Sequence, residues 1–428
     1  MKNSMKTKTI LLMLLSIISI NLLRAETITV EMVVYALDEN NQTARVVNAE
    51  RGLGNRGEKS AITDANIRNT ITYRGMSYRV TSICQGAFED CDRLVSASIP
   101  STVQTIEEAA FRRCKALTTV TISAKIIGKD AFSGCTNLQN IILNEGVVKI
   151  GEGAFEGKYA SISIPNSVTE IGRKAFTSSQ LQSVKFGNGI KRIENSTFSG
   201  TPLREVVIPQ NVTYIGEYAF GDCKKLTKVT IHNKVKKIED AAFSNCTSLQ
   251  TFDLANDNPY FTVVDGVLFN KDKTLLIQYP SGKKNVSYVI PSGVKKIADY
   301  AFENVPSLHS VQISNSVTEI GDGNFNECRN LEMIQIGNHV QKIGGYVCQR
   351  CFNLADFTIP NSVIEIGEHA FEYCEGLIEI VIPRNVQNVG RFAFSSCRSL
   401  TIKVHRQTHC HWDAFAYSES VEFYDTEE

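Results

Sequence analysis

The sequence predicts an α/β-type repeat solenoid, a right-handed superhelix with a parallel β-ladder, short helical turns, an N-terminal β cap and one inserted β-hairpin. The first observation is a motif centred on Ala-Phe that recurs at spacings of 21 to 23 residues over most of the 428-residue chain. The second is a Val-x-Ile pair in each copy, which has the two-residue period of a strand. The third is size: one copy cannot bury its apolar side alone, whereas stacked copies build a continuous core.

The repeat is defined by a reference Phe, which Cys348 replaces in one copy. An aliphatic residue stands five positions before this site, and Leu usually stands six positions after it. The unit reads V-x-x-I-G-x-x-A-F-x-x-C-x-x-L-x-x-V-x-I-P, and about 13 copies are expected. The reference positions are Phe88, Phe111, Phe132, Phe155, Phe176, Phe198, Phe220, Phe243, Phe302, Phe325, Cys348, Phe371 and Phe394, with Phe415 in a degenerate last copy.

Each part of the unit predicts a local structure. The β-branched Val-x-Ile pair predicts a short strand with both side chains on one face, and the following Pro ends the strand because it cannot donate a ladder hydrogen bond. Ala-Phe and a Cys three residues later suit one or two helical turns with a buried stripe. The Gly four positions before the Phe is interpreted as a packing or turn preference, since Glu107 occupies the same slot.

The solenoid is predicted over residues 80–428. One segment before it and two segments within it depart from the repeat. Residues 26–79 alternate in polarity around Gly- and Asn-rich turns and are predicted to form a β-hairpin cap. The one long gap between reference residues contains two apolar runs, which predict a β-hairpin inserted at about residues 256–290. From about residue 401 the copies degenerate, which is typical of a C-terminal cap.

Residues 1–25 have the features of a secretory signal peptide. Lys2, Lys6 and Lys8 form a basic start, an apolar run covers residues 10–23, and Ala25 is a small residue before the expected cut. The alternative is an uncleaved N-terminal anchor, although the apolar run is shorter than the roughly 20 residues of a spanning helix. We therefore expect an exported protein, secreted or at the cell surface, with no integral membrane segment after cleavage.

The joint spacing of Ile, Gly, Ala-Phe, Cys, Leu and Ile-Pro resembles the BspA-like leucine-rich repeat family of bacterial secreted and cell-surface proteins. The resemblance covers roughly residues 80–415, for example Ile208-Pro209 and Ile382-Pro383 at strand ends. It implies a leucine-rich repeat solenoid and adhesion to host or cell-surface proteins. The chain departs from the pattern at Cys348, which replaces the Phe, and where Lys158, Ser179, Thr201 and Val305 replace Cys.

The sequence favours no enzymatic chemistry and no cofactor. Lys and Arg equal Asp and Glu at 45 each, so the chain lacks the basic excess expected for nucleic-acid binding. No nucleophile elbow, zinc-protease or phosphate-loop motif is present. Nine cysteines share the slot three after the Phe and are predicted to be buried core residues, with disulfides or metal as the alternative. His405, His409 and His411 could ligate zinc with Cys410, but a capping segment is the preferred interpretation.

The outward side of the repeat strands is the predicted binding surface, because solenoids usually bind partners there. The residues between the two buried strand residues are small, polar and nearly neutral, without a row of aromatic side chains. The inserted hairpin adds aromatic residues that could project beyond the coils. The candidate partner-binding residues are Thr121, Lys185, Thr230, Asp253, Gln312, Gln335 and Thr358 on the strands, and Tyr260 and Phe261 on the hairpin.

These observations predict an exported, non-enzymatic binding protein that uses its solenoid surface for protein–protein interaction. The expected partner is a host extracellular or cell-surface protein. The alternative is a glycan-binding or envelope-associated structural protein, which a glycan array would separate from the first hypothesis.

Overall fold

A computed structural model describes residues 26–47 and 62–425. The predicted signal peptide, residues 1–25, lies outside the described residues. The internal contacts divide the chain into two compact units, residues 1–158 and 159–428, and each is described by itself.

In residues 26–47 and 62–83, the described part that precedes the regular coils of the first unit, there are six strands. They are β1 (Thr27–Val30), β2 (Val33–Asp38), β3 (Thr43–Val47), β4 (Asp64–Asn66), β5 (Thr70–Tyr73) and β6 (Met76–Ile83). Strands β1, β2 and β3 form an antiparallel meander, and β5 pairs antiparallel with β6. Strand β3 pairs parallel with β6, which passes into the coils. The alternating sequence thus supplies a sheet that continues directly into the repeat.

Each coil of the first unit contributes one longer and one two-residue strand. The longer strands are β7 (Ser96–Ile99), β9 (Thr119–Ile122) and β11 (Asn140–Leu143), and the short strands are β8 (Thr105–Ile106), β10 (Ile126–Ile127) and β12 (Lys149–Ile150). The longer strands extend a parallel ladder in the order β4-β7-β9-β11. In β9 the pattern alternates, with Val120 and Ile122 buried and Thr121 partly exposed. We call the outward side of the longer strands, in both units, the strand face.

The second unit repeats the same architecture. Its longer strands are β13 (Ser161–Ser163), β15 (Ser183–Lys185), β17 (Glu205–Val207), β19 (Lys228–Ile231), β21 (Thr251–Leu254), β25 (Ser287–Val289), β27 (Ser310–Gln312), β29 (Met333–Gln335), β31 (Asp356–Phe357), β33 (Glu379–Ile382), β35 (Thr401–His405) and β37 (Ser420–Tyr424). Its short strands are β14 (Glu170–Ile171), β16 (Arg192–Ile193), β18 (Tyr214–Ile215), β20 (Lys237–Ile238), β24 (Leu275–Gln278), β26 (Lys296–Ile297), β28 (Glu319–Ile320), β30 (Lys342–Ile343), β32 (Glu365–Ile366), β34 (Asn388–Val389) and β36 (His409–Cys410).

The insert is a hairpin joined to an additional coil. Strands β22 (Phe261–Val264) and β23 (Val267–Asn270) form the antiparallel hairpin, and β23 pairs antiparallel with β24. Strand β24 in turn pairs parallel with β26, as a regular coil strand does. Tyr279 then stacks on Phe302 with ring centroids 4.8 Å apart, so it occupies the place of a reference Phe. The long gap therefore contains a degenerate repeat that the sequence analysis did not recognise.

The reference Phe residues form the centre of the core. In the second unit Phe198, Phe220 and Phe243 stack with centroids 5.5 Å apart and nearly parallel rings. In the first unit Phe88 and Phe111 stack at 4.7 Å. Neighbouring coils therefore share stacked apolar side chains, which is how short copies bury enough surface to fold. In the second unit the buried residues from Val267 to Ala414 form one core cluster.

The prediction of short helical turns is wrong: the described residues contain no helix. The residue two positions before the reference site has a positive φ in every coil from Phe88 to Phe394 except that of Tyr279, as in Tyr218 (φ 51°). The residue two positions after it does so in every one of these coils but those of Phe155 and Tyr279, as in Asp222 (φ 59°). A left-handed residue interrupts a right-handed helix. The N–H groups of Phe220 and Asp222 instead donate to Ala242 and Ser244 of the next coil, at 2.9 and 3.0 Å.

The Gly four positions before the Phe serves close packing, as predicted. Gly151 has no positive φ, but a Cβ on it would lie 2.5 Å from the carbonyl carbon of Gly128 in the preceding coil. The backbones of adjacent coils are therefore in close contact at this slot. Where Glu107 fills it, the turn accommodates a side chain instead.

Candidate functional site

The predicted strand-face residues are held in register by the parallel ladders. In the first unit Thr121 lies between Ser98 and Ile142 on adjacent strands. In the second unit Lys185 pairs with Ser163. These side chains point outward because the apolar residues on either side of them face the core, as Val120 and Ile122 do beside Thr121.

Thr230 and Asp253 lie side by side and contact each other. They are paired in the ladder between β19 and β21, and the Thr230 hydroxyl donates to Asp253 Oδ2 at 3.3 Å. Lys228 Nζ lies 3.2 Å from the same carboxylate oxygen. All three side chains are solvent-accessible, so this part of the strand face presents a neutralised polar cluster rather than a net charge.

Gln312 and Gln335 are paired partners on β27 and β29, and both are exposed. Val289, which is 59% exposed, is the next residue on the same row. Thr358 follows β31 and is exposed on the next coil. The row therefore carries uncharged hydrogen-bonding groups beside an exposed aliphatic side chain.

The two hairpin candidates differ in burial. Tyr260 is 40% exposed, whereas Phe261 is only 5% exposed and belongs to the core. The buried Asn258 fixes the backbone of both residues, because its Oδ1 accepts their N–H groups at 2.8 and 2.9 Å. Its Nδ2 also donates to the His232 carbonyl. This turn fixes Phe261 inward and leaves Tyr260 alone as a surface aromatic residue.

The candidate residues do not converge on one site. A cavity of about 290 Å³ lies between β21 and β22 and brings together Asp253 and Phe261. A larger groove of about 710 Å³ lies at the carboxyl ends of β31, β33 and β35 and includes Thr358. The other candidates line neither of these two cavities. The strand residues among them form separate parts of the strand face, and Tyr260 lies apart from it, next to hairpin strand β22.

The larger groove contains residues that the sequence analysis did not select. Its lining includes Glu379, Val381, Arg384, His405 and Asp425 beside Thr358. One sequence signal pointed to it: His405 and Tyr424 stand where earlier copies have Pro after the second buried strand residue. We call these residues the C-terminal groove.

The predicted histidine cluster does not assemble into a metal centre in the described part of the chain. No group of three or more His, Cys, Asp or Glu side chains there has the arrangement to hold a metal ion. His411 and Arg391 both contact the buried carboxylate of Asp413 instead. His409 is exposed on β36, and His405 lies in the C-terminal groove.

The cysteines have a structural role. All twelve are free thiols, and the nine of the repeat slot are buried. The Cys246 thiol donates to the Phe220 carbonyl at 3.2 Å, and Cys374 donates to the Cys348 carbonyl in the same way at 3.1 Å. Ser179 and Thr201 satisfy the Phe carbonyl of their own coil. Ser and Thr can therefore replace Cys in this slot as small hydrogen-bond donors, whereas Val305 fills it by packing alone.

Several partly buried carboxyl groups lie in turns of the second unit, in the two coils that flank the insert. Burial raises the pKa of Glu303 to about 7, although Asn326 and Ser244 donate hydrogen bonds to it. Burial also raises the pKa values of Asp240 and Asp299, which repel each other. Asn304 Nδ2 meanwhile donates to Asn245 Oδ1 at 2.8 Å, across the insert.

Comparison with known proteins supports a bacterial surface-protein family. The family model described as BspA type Leucine rich repeat region matches residues 66–160, 156–271 and 281–421. A crystal structure of a leucine rich cell surface protein from Faecalibacterium prausnitzii is 27% identical, covers 94% of this chain and 96% of that chain, and has a TM-score of 0.69.

Two further crystal structures are similar over most of the chain. The pneumococcal vaccine antigen PcpA is 25% identical, with 94% of each chain covered and a TM-score of 0.60. A leucine-rich repeat protein from Bacteroides ovatus is 25% identical, with 92% of this chain and 90% of that chain covered and a TM-score of 0.56. No curated protein matches the chain significantly. The described residues include no helix with the length and apolarity to cross a membrane.

Proposed function

Because the chain belongs to the BspA-type leucine-rich repeat family, we propose that it is an exported, non-enzymatic binding protein whose strand face engages another protein. The observation that carries the proposal is the register of outward side chains on the parallel ladders. Val207, Thr230 and Asp253 form one such row, and Val289, Gln312 and Gln335 form another. Rows of fixed polar and aliphatic groups suit a protein surface, which offers matching hydrogen bonds over a broad area.

Export and surface location are part of the same proposal. The basic and apolar segments of residues 1–25 support export. The similar protein from F. prausnitzii is described as a cell surface protein, which supports the same location for this chain. We propose a host extracellular or cell-surface protein as the partner, and adhesion as the result of binding.

A pull-down with the mature chain, residues 26–428, tests the proposal. The immobilised chain is presented to purified extracellular-matrix proteins and, separately, to a glycan array. Any retained protein is tested again with Thr230→Arg and with Thr358→Arg, each of which places a long cation on the strand face. Asn353→Arg is the matched control, because Asn353 is exposed in a turn of the second unit and does not belong to the strand face.

We expect loss of binding in at least one strand-face variant and none in the control, with unchanged circular dichroism in all three. Tyr260→Ser tests the hairpin separately, since it removes the surface aromatic residue without disturbing β24. Binding that survives every one of these substitutions would move the interaction away from the strand face. Retention of glycans and of no protein would favour the alternative, a glycan-binding protein.

A further inference from the structure

The parallel ladder of the strand face is interrupted between two consecutive coils of the second unit. Strand β31 ends the ladder β25-β27-β29-β31, and β33 begins the ladder β33-β35-β37. Across residues 159–425, no backbone hydrogen bond joins β31 to β33. The short strands β32 and β34 of the same coils are paired, and Phe371 N–H donates to the Ala393 carbonyl at 2.7 Å. The two coils are therefore stacked elsewhere, and only their longer strands lack the ladder.

The interruption coincides with an aromatic residue in the buried row of the strands. Phe357 occupies on β31 the position that Ile334 has on β29 and Ile380 has on β33. Its ring packs edge-on against Phe371, with centroids 4.7 Å apart. The preceding reference site is the small Cys348, so Phe357 supplies apolar volume that the Phe column lacks there. A ring in place of a β-branched side chain thus marks the strand at which the ladder ends.

Both strand edges at the interruption carry backbone groups without a ladder partner. In the preceding coils, Ile313 N–H donates to the Gln335 carbonyl at 2.8 Å. The equivalent bond would join Ile359 to Val381, and it is absent among the residues that the structure describes. Glu379 N–H likewise lacks the bond to the preceding coil that first strand residues make elsewhere. Open edges of this kind are templates for a further strand.

The C-terminal groove, with its volume of about 710 Å³, lies between these two edges. Part of its lining comes from the two strands and the residues that follow them: Phe357, Thr358 and Ile359 on one side, and Glu379, Val381 and Pro383 on the other. Val381 is 46% exposed, and Ile378, which immediately precedes β33, is 72% exposed. A ligand in the groove therefore meets backbone hydrogen-bonding groups and aliphatic side chains.

The acidic side chains of the groove lining are already in ion pairs. Lys403 Nζ lies 3.1 Å from Glu379, and Arg406 Nε lies 2.9 Å from Asp425. Because these charges are balanced, they give no preference for a charged ligand. The open edges instead require N–H and C=O groups that recur along an extended chain, at about 3.3 Å per residue. A polypeptide in the strand conformation meets this requirement.

We propose that an extended segment of the protein partner occupies the C-terminal groove as an added β-strand, paired with the open edge of β33 and lying beside β31. This inference rests on the proposed function and specifies how the strand face engages its partner. In this mode of recognition, main-chain hydrogen bonds supply affinity and alternate side chains supply specificity. Partner segments with β-branched residues suit contact with Val381 and Ile378.

Hydrogen exchange of the mature chain, read by mass spectrometry, tests the proposal. The probe is the blocked peptide acetyl-Thr-Thr-Val-Thr-Ile-Ser-amide, which has the sequence of residues 118–123. This segment contains β9, which pairs with a strand on each edge in the folded chain. A counterpart methylated on every backbone nitrogen keeps the side chains but cannot donate. A linear hexamer of N-acetylglucosamine represents a glycan.

We expect saturating peptide to slow exchange of the amides of residues 377–382 about tenfold. Residues 310–313 serve as the internal reference, because β27 is already paired on both edges. Fluorescence anisotropy of the labelled peptides compares their affinities. The methylated peptide is expected to bind at least about tenfold more weakly, because it loses several backbone hydrogen bonds.

Val381→Pro removes one N–H from the open edge of β33, whereas Val381→Thr retains it and is the matched control. The equivalent Gln335 directs its carbonyl to the preceding coil, so the bonds between β33 and β35 do not use this N–H. We expect the Pro variant to bind the peptide about tenfold more weakly and the Thr variant to bind as the wild type does. Equal binding of both peptides to the wild-type chain, or no protection of residues 377–382, would overturn the proposal even if the Pro variant failed to fold.

Two further outcomes separate this inference from the proposed function. Protection of the groove by the glycan and not by the peptide would overturn the assignment to a polypeptide. If Thr230→Arg abolishes capture of a partner while Val381→Pro leaves it intact, the strand-face function stands and the added strand falls.

Discussion

A reference Phe that lies between two others contributes to stability through two neighbours rather than one. Phe220 is fully buried, and its ring lies 5.5 Å from those of Phe198 and Phe243. Such pairs add about 0.5–1.5 kcal/mol beyond area burial. Removal of one ring therefore leaves a cavity and also breaks the contact between three successive coils.

Phe220→Ala is expected to lower the free energy of unfolding by about 3–5 kcal/mol, the usual cost of emptying a buried aromatic site. Urea denaturation followed by circular dichroism measures the change. Trp412→Ala is the control, because Trp412 is 86% exposed and its loss should cost little. A loss below about 1 kcal/mol at Phe220 would contradict the packing described for the core.

Ionisation of the single residue Glu303 is expected to make the stability of the second unit depend on pH. The carboxyl lies among Asp222, Glu327, Asn326 and Ser244, and burial is the main reason that its pKa rises from 4.5 to about 7. A carboxyl with a raised pKa binds its proton more tightly in the folded state. Its contribution therefore favours folding at low pH and is lost as the pH rises from about 4.5 to about 7.

The wild-type chain should lose roughly 2 kcal/mol of unfolding free energy between pH 5 and pH 8 through Glu303 alone. Glu303→Gln cannot ionise, so its pH dependence should be smaller by that amount. Urea denaturation measures the unfolding free energy of both proteins at the two pH values. The difference between their pH dependences isolates Glu303, because Asp240 and Asp299 are present in both proteins. Parallel pH profiles would show that Glu303 ionises normally in the folded protein.

At the scale of elements, the turn between the two strands of a coil depends on left-handed residues. Lys174 is an exposed example with φ 57°, two positions before Phe176. Only glycine adopts this conformation without a steric cost, and a β-branched side chain pays the most. Non-glycine residues tolerate it here because the adjacent N–H groups bond to the next coil.

Lys174→Val is expected to destabilise the protein by about 1 kcal/mol, since it adds a β-branched side chain at positive φ. Lys174→Gly should leave stability nearly unchanged, because relief of strain offsets the greater chain entropy of glycine. Arg173→Val is the matched control: Arg173 is exposed, adjacent and not left-handed. Thermal unfolding of the three variants compares them, and equal effects of both Val substitutions would refute a conformational cause.

The strands were predictable because their Val-x-Ile period is local, whereas the turns were not. Ala-Phe and Cys at spacing three fit both a helical turn and two consecutive tight turns, and only hydrogen bonds to the next coil decide between them. The degenerate copy around Tyr279 was missed for a related reason. Its strand β24 follows the hairpin, and Tyr279 lies three rather than five residues after the coil's buried Leu276.

At the scale of the whole molecule, repetition predicts a surface but not a site. The register placed Thr121, Thr230 and Gln312 on the strand face, because outward positions recur with each copy. The C-terminal groove instead arises where the repeat is broken by His405 and Tyr424. Its lining residues come from separate coils, so their proximity depends on stacking and could not be read from one copy.

The thiols test the repeat architecture in both units at once. Ten of the twelve cysteines are buried, while Cys84 and Cys410 are partly exposed. Burial raises the pKa of Cys410 to about 11 and that of Cys246 well above its usual value. Because the thiolate is the reactive form, both inaccessibility and the raised pKa slow alkylation of the native protein.

Iodoacetamide labelling of the native mature chain at pH 8, read by peptide mass mapping, should modify Cys84 and Cys410 before the other cysteines. Even these two should react slowly. The ten buried cysteines should react only after denaturation in guanidinium, and all twelve should then be alkylated without added reductant. Incomplete labelling after denaturation, reversed by dithiothreitol, would reveal disulfides and contradict the arrangement in which repeat thiols such as those of Cys246 and Cys374 donate to the carbonyl of the reference residue in the preceding coil. Fast native labelling of Cys246 would show instead that the coils open readily, since its thiol is fully enclosed between the coils of Phe220 and Phe243.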